Sequence, residues 1–169
     1  MKELAQLLNA MDQAGVILNY AMFGAVAQMR YTEPVATLDA AVLVAVPATD
    51  RLDVLSGIYE FCAARGYRTE GEAIRVGVWP AQFVPAFSPL TQEAMEQADV
   101  ADFEGVPLRV VRADYLATIA LSVGRPKDFA RILALLESGG ASRESIGSLA
   151  ARHGLADAWS RFESRFLHE

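Results

Sequence analysis

The sequence predicts a mixed α/β fold, in which a small mixed sheet is flanked by helices and followed by a helical C-terminal segment. Three observations support this. Residues 40–46 are continuously apolar, which is typical of a strand buried on both faces. A short apolar run ends at Gly24, ahead of a segment that suits one or two helical turns. Strand-like patterns stop near residue 112, and only helical patterns follow.

The first third of the chain alternates helical and extended patterns. Leucine and methionine side chains recur at helical spacing in the first segment. Pro47 ends the apolar strand, and Gly66 closes the helix that follows it. The predicted elements are a helix over 2–13, a strand over 16–23, a short helix over 25–30, a loop over 31–34, a strand over 40–46 and a helix over 50–64.

The rest of the chain passes from strands to helices. Ile74, Val76 and Val78 alternate with Arg75 and Gly77, which indicates a half-buried strand. A Ser-Pro pair at 88–89 is a typical helix start. The predicted elements are strands over 73–79, 82–84 and 106–111, and helices over 88–98, 114–123, 126–136, 142–153 and 155–166.

A shift in composition near residues 138–141 marks the best candidate for a boundary within the chain. We therefore expect an α/β domain with its closing helices over residues 1–137. The remaining residues, 138–169, are expected to form a helical appendage packed on the same domain.

Composition favours a cytoplasmic protein with no membrane contact. Of 169 residues, 53% are hydrophobic, so a sizeable core can form. The longest apolar run, 40–48, is too short to cross a bilayer, and Met1-Lys2-Glu3 lacks the pattern of a signal peptide. A single cysteine, Cys62, fits a reducing compartment and is expected to be a buried structural thiol.

The net charge of −6 argues against one class of partner. Tight nonspecific binding of nucleic acid depends on neutralising phosphates, and an acidic chain without a basic run is poorly suited to it. We expect the arginines of the C-terminal third to lie on a solvated helix face, although a local basic patch stays open. These are Arg125, Arg131, Arg143, Arg152, Arg161 and Arg165.

The region from Gly24 to Ala41 combines two features that suit nucleotide chemistry. A strand that ends in glycine and feeds a helix exposes backbone N–H groups, here at Gly24 and Ala25, which can hold phosphate oxygens. Two carboxylates two residues apart on a strand share a face and can bind magnesium. Asp39 occupies the first of these positions, but Ala41 occupies the second.

Six short segments, in their order and spacing, carry a family resemblance. They are Tyr20-Ala-Met-Phe-Gly24-Ala-Val-Ala, Thr37-Leu-Asp39-Ala-Ala41-Val-Leu-Val, Gln82-Phe-Val, Pro107-Leu-Arg-Val-Val, Asp114-Tyr-Leu and Gly124-Arg125-Pro126-Lys127-Asp128-Phe129. Together they resemble the nucleotidyltransferase fold, in the branch related to AbiEii-type toxin proteins and their uncharacterised relatives. The resemblance covers about residues 15–137.

The resemblance implies a set of site residues and cofactors. Asp39 corresponds to the retained catalytic and metal-binding acid. The implied cofactors are Mg²⁺ and a nucleoside triphosphate, although a chain that uses neither stays open. The positions implied to contact the nucleotide are Gly24, Ala25, Thr37, Arg125 and Lys127.

Five positions depart from the family pattern in the same direction, toward small or neutral side chains. Losing one carboxylate beside a divalent ion costs roughly a thousandfold in affinity or rate, at ~4 kcal/mol for a charge pair. We therefore expect a degenerate site that binds a nucleotide, a protein partner or a second copy of the chain. The positions are Ala25 for a second glycine, Val35 for a loop arginine, Ala41 and Gln82 for two acids, and Ala120 for a lysine.

Several alternatives stay open. Asp39 serves only as a turn cap beside Thr37 in one of them. In another, an acid from elsewhere in the chain restores the metal site, and the candidates are Glu33, Glu70 and Glu72. The chain is then an active transferase that moves a nucleotide to a protein, an RNA or a small-molecule hydroxyl. Arg125 and Asp128 face the nucleotide cleft in a third and form ordinary helix capping in a fourth.

Overall fold

The computed structural model describes residues 1–168 as a seven-stranded mixed sheet with eight helices, which confirms the predicted fold class. The elements follow in chain order. They are α1 (Lys2–Gln13), β1 (Asn19–Phe23), α2 (Gly24–Gln28), β2 (Ala40–Ala45), α3 (Ser56–Ala64), β3 (Arg68–Glu70), β4 (Ala73–Val76), β5 (Trp79–Pro85), α4 (Pro89–Glu96), β6 (Asp99–Phe103), β7 (Val106–Val110), α5 (Ala113–Val123), α6 (Pro126–Glu137), α7 (Arg143–Arg152) and α8 (Ala156–Phe166).

The sheet has the strand order β3-β4-β5-β2-β1-β7-β6, so the apolar strand β2 lies at its centre. β2 pairs antiparallel with β1 and parallel with β5. Val42, Leu43 and Val44 are all fully buried, as expected for a strand that is covered on both faces.

Helices cover both faces of the sheet. On one face, Tyr20 of β1 donates a hydrogen bond to Asn9 Oδ1 of α1 at 2.9 Å. On the other face, Arg109 of β7 donates to the carbonyl of Met95 in α4 at 2.9 Å. Cys62 of α3 is buried, and burial raises the pKa of its thiol to about 11, so it remains protonated at neutral pH.

Three predicted elements have different bounds in the structure. The strand expected over 16–23 begins only at Asn19. The helix predicted from residue 50 begins at Ser56, because Asp53 forms a turn ahead of it. Oδ1 of Asp53 accepts a hydrogen bond from the Leu55 N–H at 2.9 Å, and the carbonyl of Asp53 accepts one from the Ser56 hydroxyl at 2.8 Å. The strand predicted over 73–79 is a hairpin instead. Gly77 has a φ of 61°, which reverses the chain between β4 and β5.

Two strands, β3 and β6, were not predicted. Both are edge strands, and exposed residues dominate them, so neither shows an apolar period. β6 joins β7 through a two-residue turn in which Glu104 and Gly105 have φ values of 53° and 87°. Positive φ at both central positions is typical of the tight turns that connect antiparallel strands.

The C-terminal helices pack on the rest of the chain. Phe162 and Phe166 of α8 lie 5.8 and 5.4 Å, ring centre to ring centre, from Phe129 of α6. His153, at the end of α7, lies 2.9 Å from Glu93 Oε2 of α4. No helix among residues 1–168 has both the length and the apolar character that crossing a bilayer requires.

Candidate active site

The turn between β1 and α2 brings the backbone close to β2. Gly24 has a φ of +69°, a conformation that favours glycine. A Cβ atom at Gly24 would lie 3.4 Å from the Cβ of Ala41. The five-residue helix α2 begins here without a side-chain cap. The strand–glycine–helix unit predicted from the sequence is therefore present, with the turn directed at β2.

The strand register places the expected acid positions side by side. Ala41 pairs with Phe23 of β1 on one side and with Gln82 of β5 on the other. Asp39 precedes Ala41 by two residues and so shares its side of the chain. These three positions, to which the family resemblance assigns acids, thus carry one carboxylate, one methyl group and one amide.

This set of residues does not fit a resident magnesium ion. Magnesium binds oxygen ligands and normally needs carboxylates together with substrate phosphates. Residues 1–168 contain no cluster of three or more His, Cys, Asp or Glu side chains that could hold a metal ion. The candidate replacements lie elsewhere: Glu70 pairs with Arg75 at 2.8 Å, and Glu33 and Glu72 are exposed.

The carboxylate of Asp39 is half-buried and makes no hydrogen bond to the described residues. The local turn is instead formed by Thr37, whose hydroxyl donates to the Asp39 carbonyl at 2.9 Å and lies 3.4 Å from the Asp39 nitrogen. The carboxylate therefore remains available to a ligand at the N-terminal end of β2.

Arg125 and Lys127 lie at the start of α6. The backbone N–H and Nε of Arg125 donate to Asp128 Oδ2 at 3.1 and 2.7 Å, so the pair caps the helix. Burial raises the pKa of the Asp128 carboxyl, but hydrogen bonds from Arg125 outweigh it and hold the pKa below its usual range. The structure thus gives Arg125 a structural partner, whereas Lys127 is exposed.

One arginine is placed differently from the sequence prediction. Arg131 was expected on a solvated helix face, but its side chain is only 19% exposed. Its Nε donates to Oε1 of Gln28 at 2.9 Å. Gln28 is itself buried at the end of α2. No local sequence pattern predicts this contact, because 103 residues separate the two partners.

An open groove of about 640 Å³ runs beside this contact, between the α2–β2 loop and α6. Gln28 and Thr32 line it on one side, and Ala134 of α6 and Ser138, which directly follows α6, line it on the other. Arg131 lies one helical turn before Ala134 on α6. The lining of the groove includes Gln28, the hydrogen-bond partner of Arg131.

No family model matches the chain, and neither does any curated protein. Solved structures do match. The solution structure of the antibiotic-resistance factor ANT(2'')-Ia aligns with a TM-score of 0.54 and 14% identity, over 98% of this chain and 96% of that chain. An antigenic nucleotidyltransferase-like protein from Paracoccidioides brasiliensis aligns with a TM-score of 0.54 and 10% identity, over 92% of this chain and 89% of that chain. The chain therefore has a nucleotidyltransferase-like fold.

Proposed function

We propose that this protein binds a nucleotide on a nucleotidyltransferase-like fold without efficient metal-dependent transfer. The observation that carries the proposal is the pairing of Ala41 with Gln82, which leaves Asp39, two residues before Ala41, as the one carboxylate where a metal cage needs several. The strand–glycine–helix turn at Gly24 supports the binding part, because the backbone N–H groups at such a turn can hold phosphate oxygens. The proposal combines a retained binding site with a lost metal site.

The missing charges decide between binding and transfer. Each lost carboxylate beside a divalent ion removes an interaction of ~4 kcal/mol at an effective dielectric near 20, which is roughly a thousandfold. A neutral alanine and a neutral glutamine replace two of them. Nucleotide binding itself needs only hydrogen-bond donors and positive charge. The backbone N–H groups of the Gly24 turn and the cations at the start of α6 are the candidates to supply them.

A transfer assay tests the proposal. Purified protein is mixed with each labelled nucleoside triphosphate, with Mg²⁺ or Mn²⁺, and with acceptors that include protein, RNA ends and small-molecule hydroxyls. We expect binding without turnover. Transfer that is abolished by Asp39→Ala but retained by Asp50→Ala would contradict the proposal, since Asp50 is an exposed aspartate outside the site.

An active transferase with an altered site is the second candidate. The half-buried Asp39 carboxylate favours it, because that group makes no hydrogen bond to the described residues. In this alternative, phosphate oxygens of the substrate complete the metal shell. It predicts turnover in the same assay, with a strong dependence on Mn²⁺ concentration.

Recognition of a protein partner, as in a toxin–antitoxin pair related to AbiEii-type proteins, is a third form of the proposal. Leu38 and Val78 are 92% and 79% exposed, and both precede strands that start at the Asp39 end of the sheet. Isolated exposed apolar side chains are common, but two beside a candidate site suit a protein contact. If a calorimetric titration detects no nucleotide binding, recognition of a protein partner is the one form of the proposal that remains.

A further inference from the structure

Arg131 holds a charge that its surroundings compensate only in part. The guanidinium has five N–H donors, and Nε uses one of them on Gln28. The terminal nitrogens make no hydrogen bond to the described residues, and the approach of Nη1 to Asp128 Oδ1 is 3.9 Å. Burial lowers the pKa of Arg131 below its usual range, and it stays charged at neutral pH.

Asp128 compensates Arg131 only at a distance, because its closest hydrogen bonds go to Arg125 and its Oδ1 lies 3.9 Å from Nη1 of Arg131. Oδ2 accepts from the backbone N–H and Nε of Arg125, and Oδ1 accepts from Nη2 at 3.3 Å. One carboxylate thus faces two guanidinium groups, which leaves a net positive charge at the start of α6. A partly buried charge without a full set of partners is costly unless a ligand completes it.

The neighbouring groups add donors at the same place. Gln28 Nε2 has a single, long hydrogen bond of 3.4 Å to Thr32, so it can donate to a ligand as well. Lys127 is exposed and precedes Arg131 by four residues, which puts both cations on one face of α6. Glu137, which lines the groove, lies about 9 Å farther along the helix axis. The positive charges of Lys127 and Arg131 therefore lie on α6 beside Gln28, which lines the groove, whereas the acidic lining residues are Glu33 and Glu137.

We propose that Arg131, with Gln28 and Lys127, binds a phosphate group of the ligand without a metal ion. This inference rests on the proposed nucleotide-binding function and deepens it. The five residues of α2 lead from the Gly24 turn to Gln28 over about 6 Å, a distance that a polyphosphate chain can span. Positive charge supplied by the protein replaces that of the absent cation, and the guanidinium fork suits phosphate oxygens.

Calorimetric titration in EDTA tests this site, with ATP and inorganic tripolyphosphate as separate probes. We expect both to bind the wild-type protein, ATP more tightly. Arg131→Gln should weaken both by roughly tenfold or more, because a charge-assisted contact is lost. Arg131→Lys retains the positive charge but not the forked guanidinium. Its affinity for both probes should lie between those of the wild-type protein and Arg131→Gln. Arg161→Gln, at an exposed arginine of α8, is the matched control and should bind as wild type.

The outcomes separate this inference from the function on which it rests. If folded Arg131→Gln binds ATP as wild type does, nucleotide binding stands and the Arg131 site is wrong. If tripolyphosphate binds through Arg131 but ATP binds no more tightly, the phosphate site stands and recognition of a nucleotide is wrong. If neither probe binds the wild-type protein, both are wrong.

A measurement on the wild-type protein covers the case in which Arg131→Gln does not fold. The Nε–H NMR resonance of Arg131, assigned by its absence in Arg131→Lys, should shift as tripolyphosphate is added, whereas that of Arg161 should not. An Arg131 resonance that stays in place at saturation would overturn the site.

Discussion

At the residue scale, the neutral side chains of Ala41 and Gln82 limit what Asp39 can do. The two residues pair directly across β2 and β5, so acids placed there would stand beside one another. The assignment of these two positions to a former metal site can therefore be tested by placing carboxylates there, rather than by removing the remaining one.

We predict that Ala41→Asp combined with Gln82→Asp creates a Mn²⁺ site. Each added carboxylate contributes up to ~4 kcal/mol of attraction, so affinity should rise at least a hundredfold even after repulsion among the three acids. Electron paramagnetic resonance titration of Mn²⁺ measures it. Ala41→Asn with Gln82 unchanged is the neutral control. Unchanged Mn²⁺ binding in a folded double variant would mean that the site is misplaced.

Asp128 links stability to pH. Its pKa lies below the ordinary value of 3.8, so its stabilisation is fully present above pH 3.8 and is lost as pH falls through the folded-state pKa. We expect Asp128→Asn to cost about 1–3 kcal/mol in the free energy of unfolding at neutral pH. That deficit should stay constant from about pH 8 to pH 5 and shrink below 3.8.

Chemical denaturation at a series of pH values measures this deficit. Asp50→Asn, at an exposed aspartate, is the control and should leave stability unchanged throughout. A deficit that grows as the pH falls would contradict the assigned role of the Arg125–Asp128 pair.

Residues differ in how far the sequence predicted their setting. Ala41 and Gln82 lie on strands that the sequence predicted, and the structure places the two residues in register, whereas Asp39 directly precedes its strand. Arg131 was missed because its burial depends on a partner on α2 that is remote in sequence. A local sequence pattern indicates the period of one element, whereas a contact between residues remote in sequence forms only when two elements pack together.

At the element scale, the turn between β1 and α2 depends on Gly24. We predict that Gly24→Ala lowers the free energy of unfolding by about 1–2 kcal/mol, since a side chain at φ +69° is strained. Urea denaturation measures it. Gly57→Ala, in α3 with open space around it and no positive φ, is the control and should be neutral or stabilising. Equal effects in the two variants would contradict the role of the turn.

Elements with a strong period were predicted well, and those without one were not. The predicted helix over residues 2–13 and the apolar strand at the sheet centre agree with α1 and β2 within a residue. The edge strands β3 and β6 were missed because their residues are mostly exposed, so burial imposes no alternation on them. The strand pairing that defines them is a property of the whole sheet.

At the scale of the whole molecule, α8 joins the C-terminal segment to α6 through aromatic contacts. Phe162 is buried and stacks with Trp159 at 5.4 Å between ring centres. We predict that Phe162→Ala lowers the free energy of unfolding by about 3–5 kcal/mol and keeps a single transition. Thermal and urea denaturation measure it. Phe87→Ala, at a phenylalanine that is 73% exposed, should change little. Two separate transitions in the wild-type protein would mean that the segment folds independently.

The central claim is that the fold binds a nucleotide without a metal ion. The neutral side chains of Ala41 and Gln82, which pair across β2 and β5, argue against a metal cage, and the positive charge at Arg131 offers a substitute. Titration of the wild-type protein with ATP, once in EDTA and once in excess Mg²⁺, tests this claim most directly. We predict saturable binding in EDTA, with an affinity within about threefold of that in Mg²⁺. Binding that appears only when Mg²⁺ is present would contradict the account.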